Sequence, residues 1–321
     1  MNLLVDMGGT STRFGWSGTS EMAPVATIPT PRTTEGIVRT IAEQVEHLAT
    51  PDGRPVEGVA IAVPGLVNAE GYVRYAVHVP LTGIDLPRIL GDLLGVAVVV
   101  VNDAKAQALG CAEPGESLTY IVVGTSVGGA HLDAGRFVEG ANGHAGEIGH
   151  MPIPGSDEQC RCGRIGCLDT VAAGWKLEES LGVGWWSSGS TAEIARVLSR
   201  AGEGIGIAAA ICSALLDPSR IMVTGHVCRY EEFRSAVGET FESRRLGECS
   251  LEMQGDTWQF AKRGLSLVFG DSTSERPTVS TSVECGNRGR KRTITRTRRH
   301  LRCTPGSRGP TEVRCCANRP V

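Results

Sequence analysis

A chain of 321 residues, 41% of them apolar, is long enough to bury two cores rather than one. Its net charge of −3 conceals a split, because residues 1–271 carry 20 Lys and Arg against 32 Asp and Glu, whereas residues 272–321 carry 12 against 3. An acidic body argues against a nucleic-acid partner. With apolar runs too short for a bilayer and no leader before the strand that opens at Asn2, a cytoplasmic protein without a membrane partner is expected.

From Asn2 the chain runs apolar and then breaks into Asp6-Met7-Gly8-Gly9-Thr10, with Arg13 three residues on. A strand that ends in Gly-Gly-Thr leaves backbone N–H groups unshielded by side chains, which is what a phosphate needs. Thr10 and Arg13 add donors, and Asp6 is placed to hold a hydrated Mg²⁺. Alone, the turn also reads as an ordinary hairpin. Asp-x-Gly-Gly-Thr-x-x-Arg resembles the first phosphate motif of the actin-like sugar kinase superfamily, in which a βββαβαβα unit is duplicated.

The continuation suits such a unit. Residues 11–18 and 22–29 read as the next two strands, and 33–48 as a helix with Ile37, Ile41, Val45 and Leu48 on one face. A buried-type strand over 56–63 precedes a short hairpin at 72–80 and an amphipathic helix at 85–94. Residues 96–101 are six apolar positions in a row, the pattern of a strand covered on both faces. Alternating strands and helices predict a largely parallel sheet of the α/β class. That last strand ends at Asn102-Asp103, before a helix of small residues, where open α/β sheets place their ligands. Asp103 also suits the N-cap of that helix.

Another apolar strand, 117–123, runs into Gly124-Thr125-Ser126-Val127-Gly128-Gly129-Ala130. A second glycine turn after a second strand is what a duplicated fold supplies on the opposite wall of a nucleotide cleft. Gly135-Arg136-Phe137 then turns a hairpin.

Next comes the densest stretch of chemistry. His150, Cys160, Cys162 and Cys167 offer one imidazole and three thiols, a set that Zn²⁺ takes in closed structural sites. The other reading is incidental thiols or one disulfide, which leaves a cysteine over and ignores His150. Thiolate ligands suit a reducing compartment. Glu147-Ile148-Gly149-His150, followed by Cys-x-Cys-Gly-x-x-Gly-Cys, is similar to the signature of the ROK family, named for repressors, open reading frames and sugar kinases.

That resemblance implies a zinc site that holds a sugar-gripping loop. It makes Asp103 of Asn102-Asp103-Ala104 the general base, and Asn102, Glu147, His150 and Asp169 the sugar ligands. Gly8, Gly9, Thr10, Thr125 and Gly128 would cradle phosphates, with Gly225 near the adenosine. There are departures: Asp169 stands where the family usually has Glu, Lys105 where Asn is commoner, and Ser126, Ala130 and His226 where glycine is usual. Asp169, one methylene shorter, changes the reach to a sugar hydroxyl.

Beyond the cysteines, 171–181, 191–201 and 205–216 read as helices, Trp185-Trp186 as a partly buried loop anchor, 221–224 as a strand and 231–245 as a helix. Residues 261–269 resemble the family's last helix, which packs back on the first domain. The resemblance stops near 270. Residues 272–321, with four cysteines at no ligand spacing and little apolar periodicity, are expected to be disordered. They read as an out-of-frame extension or as a basic tail.

The expected architecture is an actin-like ATPase (ribonuclease H-like) duplicated α/β fold of two domains around a central cleft. An N-terminal domain spans 1–114 and is completed by the helix near 260–270, and a C-terminal domain with the zinc and sugar loops spans 115–259. The expected function is ATP-dependent, Mg²⁺-assisted phosphorylation of a hexose, glucose first, with N-acetylmannosamine or N-acetylglucosamine as alternatives, by a homodimer. The rivals are a sugar-responsive ROK transcriptional regulator, which carries a winged-helix domain ahead of this body, and a sugar-binding protein without catalysis, suggested by Ala130 and His226.

Overall fold

β1 (Asn2–Met7) is the strand on which the first sheet is built, since five of its six residues are buried and it pairs on both edges. β2 (Ser11–Trp16) returns antiparallel to it, and β3 (Ala26–Pro29) antiparallel to β2. On the other edge lies β4 (Gly58–Val63); beyond the small hairpin of β5 (Leu66–Val67) and β6 (Val73–Tyr75) comes β7 (Ala97–Asn102). β4 and β7 run parallel to β1, giving the order β3-β2-β1-β4-β7. The second sheet is built from β8 (Leu118–Val123), β9 (Val127–Asp133), β10 (Arg136–Phe137), β11 (Arg220–Thr224) and β12 (Ser250–Gln254), in the order β10-β9-β8-β11-β12. Ranked within its own half, each sheet reads 3-2-1-4-5 with the same parallel and antiparallel pairs. That is a fold unit used twice. The computed structural model describes residues 1–271 apart from 21, 22, 49, 142 and 188–190, so the expected disordered tail lies outside the described residues.

The helices are α1 (Thr34–His47), α2 (Leu86–Leu94), α3 (Asp103–Cys111), α4 (Asp169–Ala172), α5 (Gly174–Leu181), α6 (Ala192–Leu216), α7 (Glu231–Glu242) and α8 (Trp258–Asp271). Thr33 and Asp85 cap α1 and α2, each accepting the N–H three residues on. Ile37, Ile41, Leu86 and Leu90 then meet Leu3, Val5 and Phe14 in the first core. In the second core, Leu198 and Ile205 of α6 and Phe233 and Phe241 of α7 meet Ile121 and Val223. Each such side chain is fully buried and contributes about 1.5–3 kcal/mol. α8 lies against α3 and places Leu265 and Phe269 beside Leu4, Ala60 and Ala62 of the first sheet. The two helices approach closely, because a Cβ on Gly264 would stand 1.7 Å from the Ala106 carbonyl oxygen.

Several elements differ from the sequence expectation. Two helices were expected over 191–201 and 205–216, yet α6 is continuous for 25 residues. Gly202, in the gap between the two expected helices, serves packing instead: a Cβ there would meet the Phe233 carbonyl at 2.5 Å, and one on Gly206, within the second expected helix, the Val237 carbonyl at 2.8 Å. α6 is also long and apolar enough to cross a bilayer by length and composition, contrary to the expectation, but 61% of its apolar window is buried inside the protein. The helix expected over 171–181 breaks at Ala173, whose extended backbone (ψ 145°) lets Gly174 and Trp175 donate to the Gly124 and Thr125 carbonyls. β9 and β12 were not anticipated as strands. The first begins in glycines and the second is a polar edge strand, so neither shows a clean apolar alternation.

Candidate active site

A cavity of about 1360 Å³ opens between the C-terminal ends of β1 and β8. That is larger than the ~300–1,000 Å³ of a pocket for one drug-sized ligand, so it has room for two such ligands side by side. Gly8, Gly9 and Thr10 line one wall, and Thr125 and Gly128 the facing one. The two turns are close: a Cβ on Gly9 would lie 3.2 Å from the Thr125 Oγ1. The N–H groups of Gly9, Thr10, Thr125 and Ser126 find no acceptor among the described residues, so both turns present free donors. Ser126 needs no left-handed backbone, and Ala130 is a buried residue of β9 opposite Tyr120. Neither departure from glycine therefore costs the turn its shape.

Asp103 opens α3 at the end of β7 and lines the cavity beside Asn102. The cap of α3 is Asn102, whose Oδ1 accepts the Lys105 N–H at 2.9 Å while its Nδ2 donates to the Gly65 carbonyl at 3.0 Å. Asp103 is thus not the N-cap. Its Oδ1 accepts the Ala104 N–H at 2.8 Å. Burial first, then the nearby Asp6 carboxylate, push Asp103 up to about 7, against the pull of the Ala104 N–H. Asp6 is 3% exposed and paired with Arg13, its partner across the β1–β2 ladder. Arg13 also donates to Thr257 Oγ1 at 2.8 Å and lies 3.8 Å from Asp256, so its guanidinium is engaged with protein groups. Lys105 is paired with Glu139.

Across the cavity, Glu147 and His150 flank a 3₁₀ turn, and Asp169 sits at the start of α4. Asp169 is 3% exposed and accepts the Val127 N–H at 2.8 Å. Burial raises its pKa, opposed by that N–H, the Ser126 hydroxyl and the fields of His150 and His78. The His150 Nδ1 stands 3.8 Å from the Cys160 Sγ, and the Cys162 and Cys167 sulfurs are 3.7 Å apart. All four ligand atoms lie within 4.8 Å of one another, and no disulfide joins the three cysteines. A tetrahedron with ~2.3 Å metal–sulfur bonds has edges of about 3.8 Å, so the cluster has the dimensions of a metal site. Cys162 and His150 reach the cavity, whereas Cys160 and Cys167 are buried behind it.

Gly225 lines the far end with His226, which is exposed and has its ring 5.8 Å from that of Tyr230. Trp185 is buried there, with Trp186 47% exposed. Among the cavity residues that sequence reasoning passed over are His78, Arg161 and Trp175. His78, in a stretch read only as a hairpin, meets Ser126 Oγ through Nε2 at 2.7 Å, and burial with the Arg161 charge holds it below the usual histidine range, opposed by Asp169. Arg161 lies over the Trp175 ring at 4.3 Å. A lone histidine and a lone tryptophan carry no spacing signal, and Arg161 stood masked between two cysteines.

The ROK family matches residues 3–254. A glucokinase of Halalkalibacterium halodurans is 32% identical over 185 residues, 53% of this chain and 55% of that protein. A putative xylose repressor of Caldicellulosiruptor sp. is 34% identical over 139 residues, 41% of this chain and 35% of the repressor. The chain thus spans about half or less of the length of these relatives. Among solved structures, a ROK family glucokinase from Streptomyces griseus in complex with glucose and AMPPNP superposes with a TM-score of 0.71 at 23% identity, covering 83% of this chain and 98% of that one. The duplicated sheets are therefore those of the actin-like ATPase fold. With the family's pattern matched across both sheets and the cysteine loop inserted between β10 and β11 of the second, this chain belongs to the ROK family.

Proposed function

We propose that this protein is a sugar kinase that transfers a phosphoryl group from ATP to a hexose hydroxyl, with Asp103 as the general base. The observation that carries this reading is that Asp103 faces the cavity with its capping role already taken by Asn102. A carboxyl held near 7 accepts a proton at the moment the sugar oxygen attacks the terminal phosphorus in line, and releases it readily afterwards. Asn102, Glu147, His150 and Asp169 orient the sugar by hydrogen bonds, which converts proximity into rate. The free amides of the two glycine turns hold the phosphates, and Gly225 leaves room for the adenosine. Asp6 fits a hydrated Mg²⁺, which supplies neutralising charge to the phosphates when bound, and Arg13 keeps that carboxylate oriented.

The ligand set and spacing of His150, Cys160, Cys162 and Cys167 fit one structural Zn²⁺. Burial and the neighbouring Cys162 thiol push Cys167 up to about 12, and a dication at the cluster supplies the charge that thiolates there require. The metal would fix the loop that carries His150 and so act on the sugar indirectly.

The match to a putative xylose repressor favours a second reading, a sugar sensor that binds without turnover. Calorimetric titration with ATP and with a hexose panel, alongside a coupled phosphorylation assay, separates the two. Binding of both ligands with turnover of one hexose supports the kinase; sugar binding with no turnover and no nucleotide binding supports the sensor.

A further inference from the structure

Six carboxylates line the cavity, at Asp6, Asp103, Glu147, Asp169, Glu178 and Asp256. A chain of condensed phosphates is itself strongly anionic, and one divalent cation with backbone amides leaves part of that charge uncompensated in such a field. Four arginines line the same cavity. Arg13 is committed to Asp6 and Asp256. The guanidinium groups of Arg164 and Arg229 have no partner among the described residues, but neither is held over an aromatic ring, and Arg229 lies against Gly255 at the far end. Arg161 makes no ion pair or hydrogen bond among the described residues, and it is exposed at the cavity wall.

Its orientation is nevertheless defined. The guanidinium carbon stands 4.3 Å over the Trp175 ring, and cation–π attraction holds the charged head there with its N–H donors unpaired by protein groups among the described residues. The platform in turn is tied to the second glycine turn, because Trp175 N–H donates to the Thr125 carbonyl at 3.1 Å and Gly174 N–H to the Gly124 carbonyl at 2.9 Å. On the opposite wall the nearest landmark is His78, which feels the Arg161 charge, bonds Ser126 and lies beside Gly9. Arg161 is therefore held on a ring whose backbone is bonded to the second glycine turn, in the cavity that both turns line.

We propose that Arg161, held over Trp175, is a donor-binding arm that grips the condensed-phosphate end of the phosphoryl donor. This rests on the kinase reading and adds to it a residue from the cysteine loop, which that reading reserves for metal and sugar. Since Arg161 lies between Cys160 and Cys162, the metal that orders the loop also orders the arm, and donor affinity becomes dependent on the metal. The partner chemistry is a di- or triphosphate anion, whether carried on a nucleoside or free as inorganic polyphosphate.

The test is calorimetric titration of the full chain with AMPPNP·Mg²⁺, with tripolyphosphate and with adenosine. Arg161→Ala should weaken each phosphate-bearing probe that the wild type binds by about tenfold or more, and leave adenosine and sugar affinity unchanged. Arg161→Lys should recover part of the loss, because a point charge lacks the fork and stacks less well. Trp175→Phe keeps the ring and removes an indole N–H that is buried without a partner, so it should bind nearly as wild type; Trp175→Leu should resemble Arg161→Ala. Thermal melts and zinc content verify that each variant is folded. Wild type binding AMPPNP but not tripolyphosphate identifies a nucleotide donor, and the reverse identifies polyphosphate; either upholds the arm if Arg161→Ala weakens it. Unchanged phosphate affinity in folded Arg161→Ala, or an equal loss with adenosine, overturns the arm while leaving the kinase reading intact. Wild type that binds none of the probes overturns both.

Discussion

Asn102 donates through Nδ2 to the Asp103 Oδ1 at 3.2 Å while its own Oδ1 caps α3, so one side chain fills the helix terminus and pins the carboxylate next to it. The division of labour has a chemical consequence. A capping aspartate needs its negative charge and is stabilised in that form by the helix N-terminus; a carboxyl freed from capping, buried and set near Asp6, is pushed up to about 7 instead. Loss of the Asn102 cap should therefore be felt in both roles. Asn102→Ala is expected to cost about 1 kcal/mol in urea unfolding and to weaken sugar binding. Unchanged stability would mean that another group caps α3.

Asp103 at about 7 sets the sign of two pH dependences. As a base it must be deprotonated in the free protein, so kcat/KM for the sugar should rise with pH through about 7 and level off above it. Stability runs the other way. The folded carboxyl keeps a proton that the unfolded chain, titrating near 3.8, has already lost, so its contribution falls as pH rises from about 3.8 to about 7. A kcat/KM profile flat between pH 5 and 8 would contradict the assignment.

Metal analysis should find one zinc per chain. Chelation should lower Tm and sugar affinity together, because thiolate ligation contributes folding free energy to the loop that carries His150. Cys162→Ala is expected to do the same, and metal-free protein with full sugar affinity would remove the zinc from the account.

Gly264→Ala addresses the packing of α8. The added Cβ would fall 1.7 Å from the Ala106 carbonyl oxygen, so the helices must separate. Overpacking of this kind costs about 1–3 kcal/mol, read as a lower urea midpoint. A variant as stable as wild type would show that α3 and α8 can slide apart freely.

Much of this site could be read from the sequence because its parts are local. Asp6 to Arg13, Asn102-Asp103, Gly124 to Gly128 and His150 to Cys167 are each short strings whose chemistry depends on near neighbours. Strands of the first sheet were legible as apolar runs of the right length, whereas their order, with β1 paired antiparallel on one edge and parallel on the other, was not. What stayed hidden depends on contacts between elements. The His78–Ser126 bond joins residues 48 apart in sequence, and neither position carries a periodic signal. The continuity of α6 was not legible because Gly202 and Gly204 stand between the two apolar-periodic segments, and the reason for Gly202, the approach of α7, lies in another element. Ala173 breaks a helix that propensity favours, since the amides beyond it are needed by the second glycine turn.

The most direct test is Asp103→Asn, measured by coupled turnover and by sugar titration on the same preparation. The amide is nearly isosteric and uncharged, so folding should be retained and the sugar dissociation constant should move little. Loss of the base should lower kcat by on the order of 10²- to 10⁴-fold. A folded Asp103→Asn variant that phosphorylates its hexose at near the wild-type rate would contradict the account, and the base would have to lie elsewhere in the cavity.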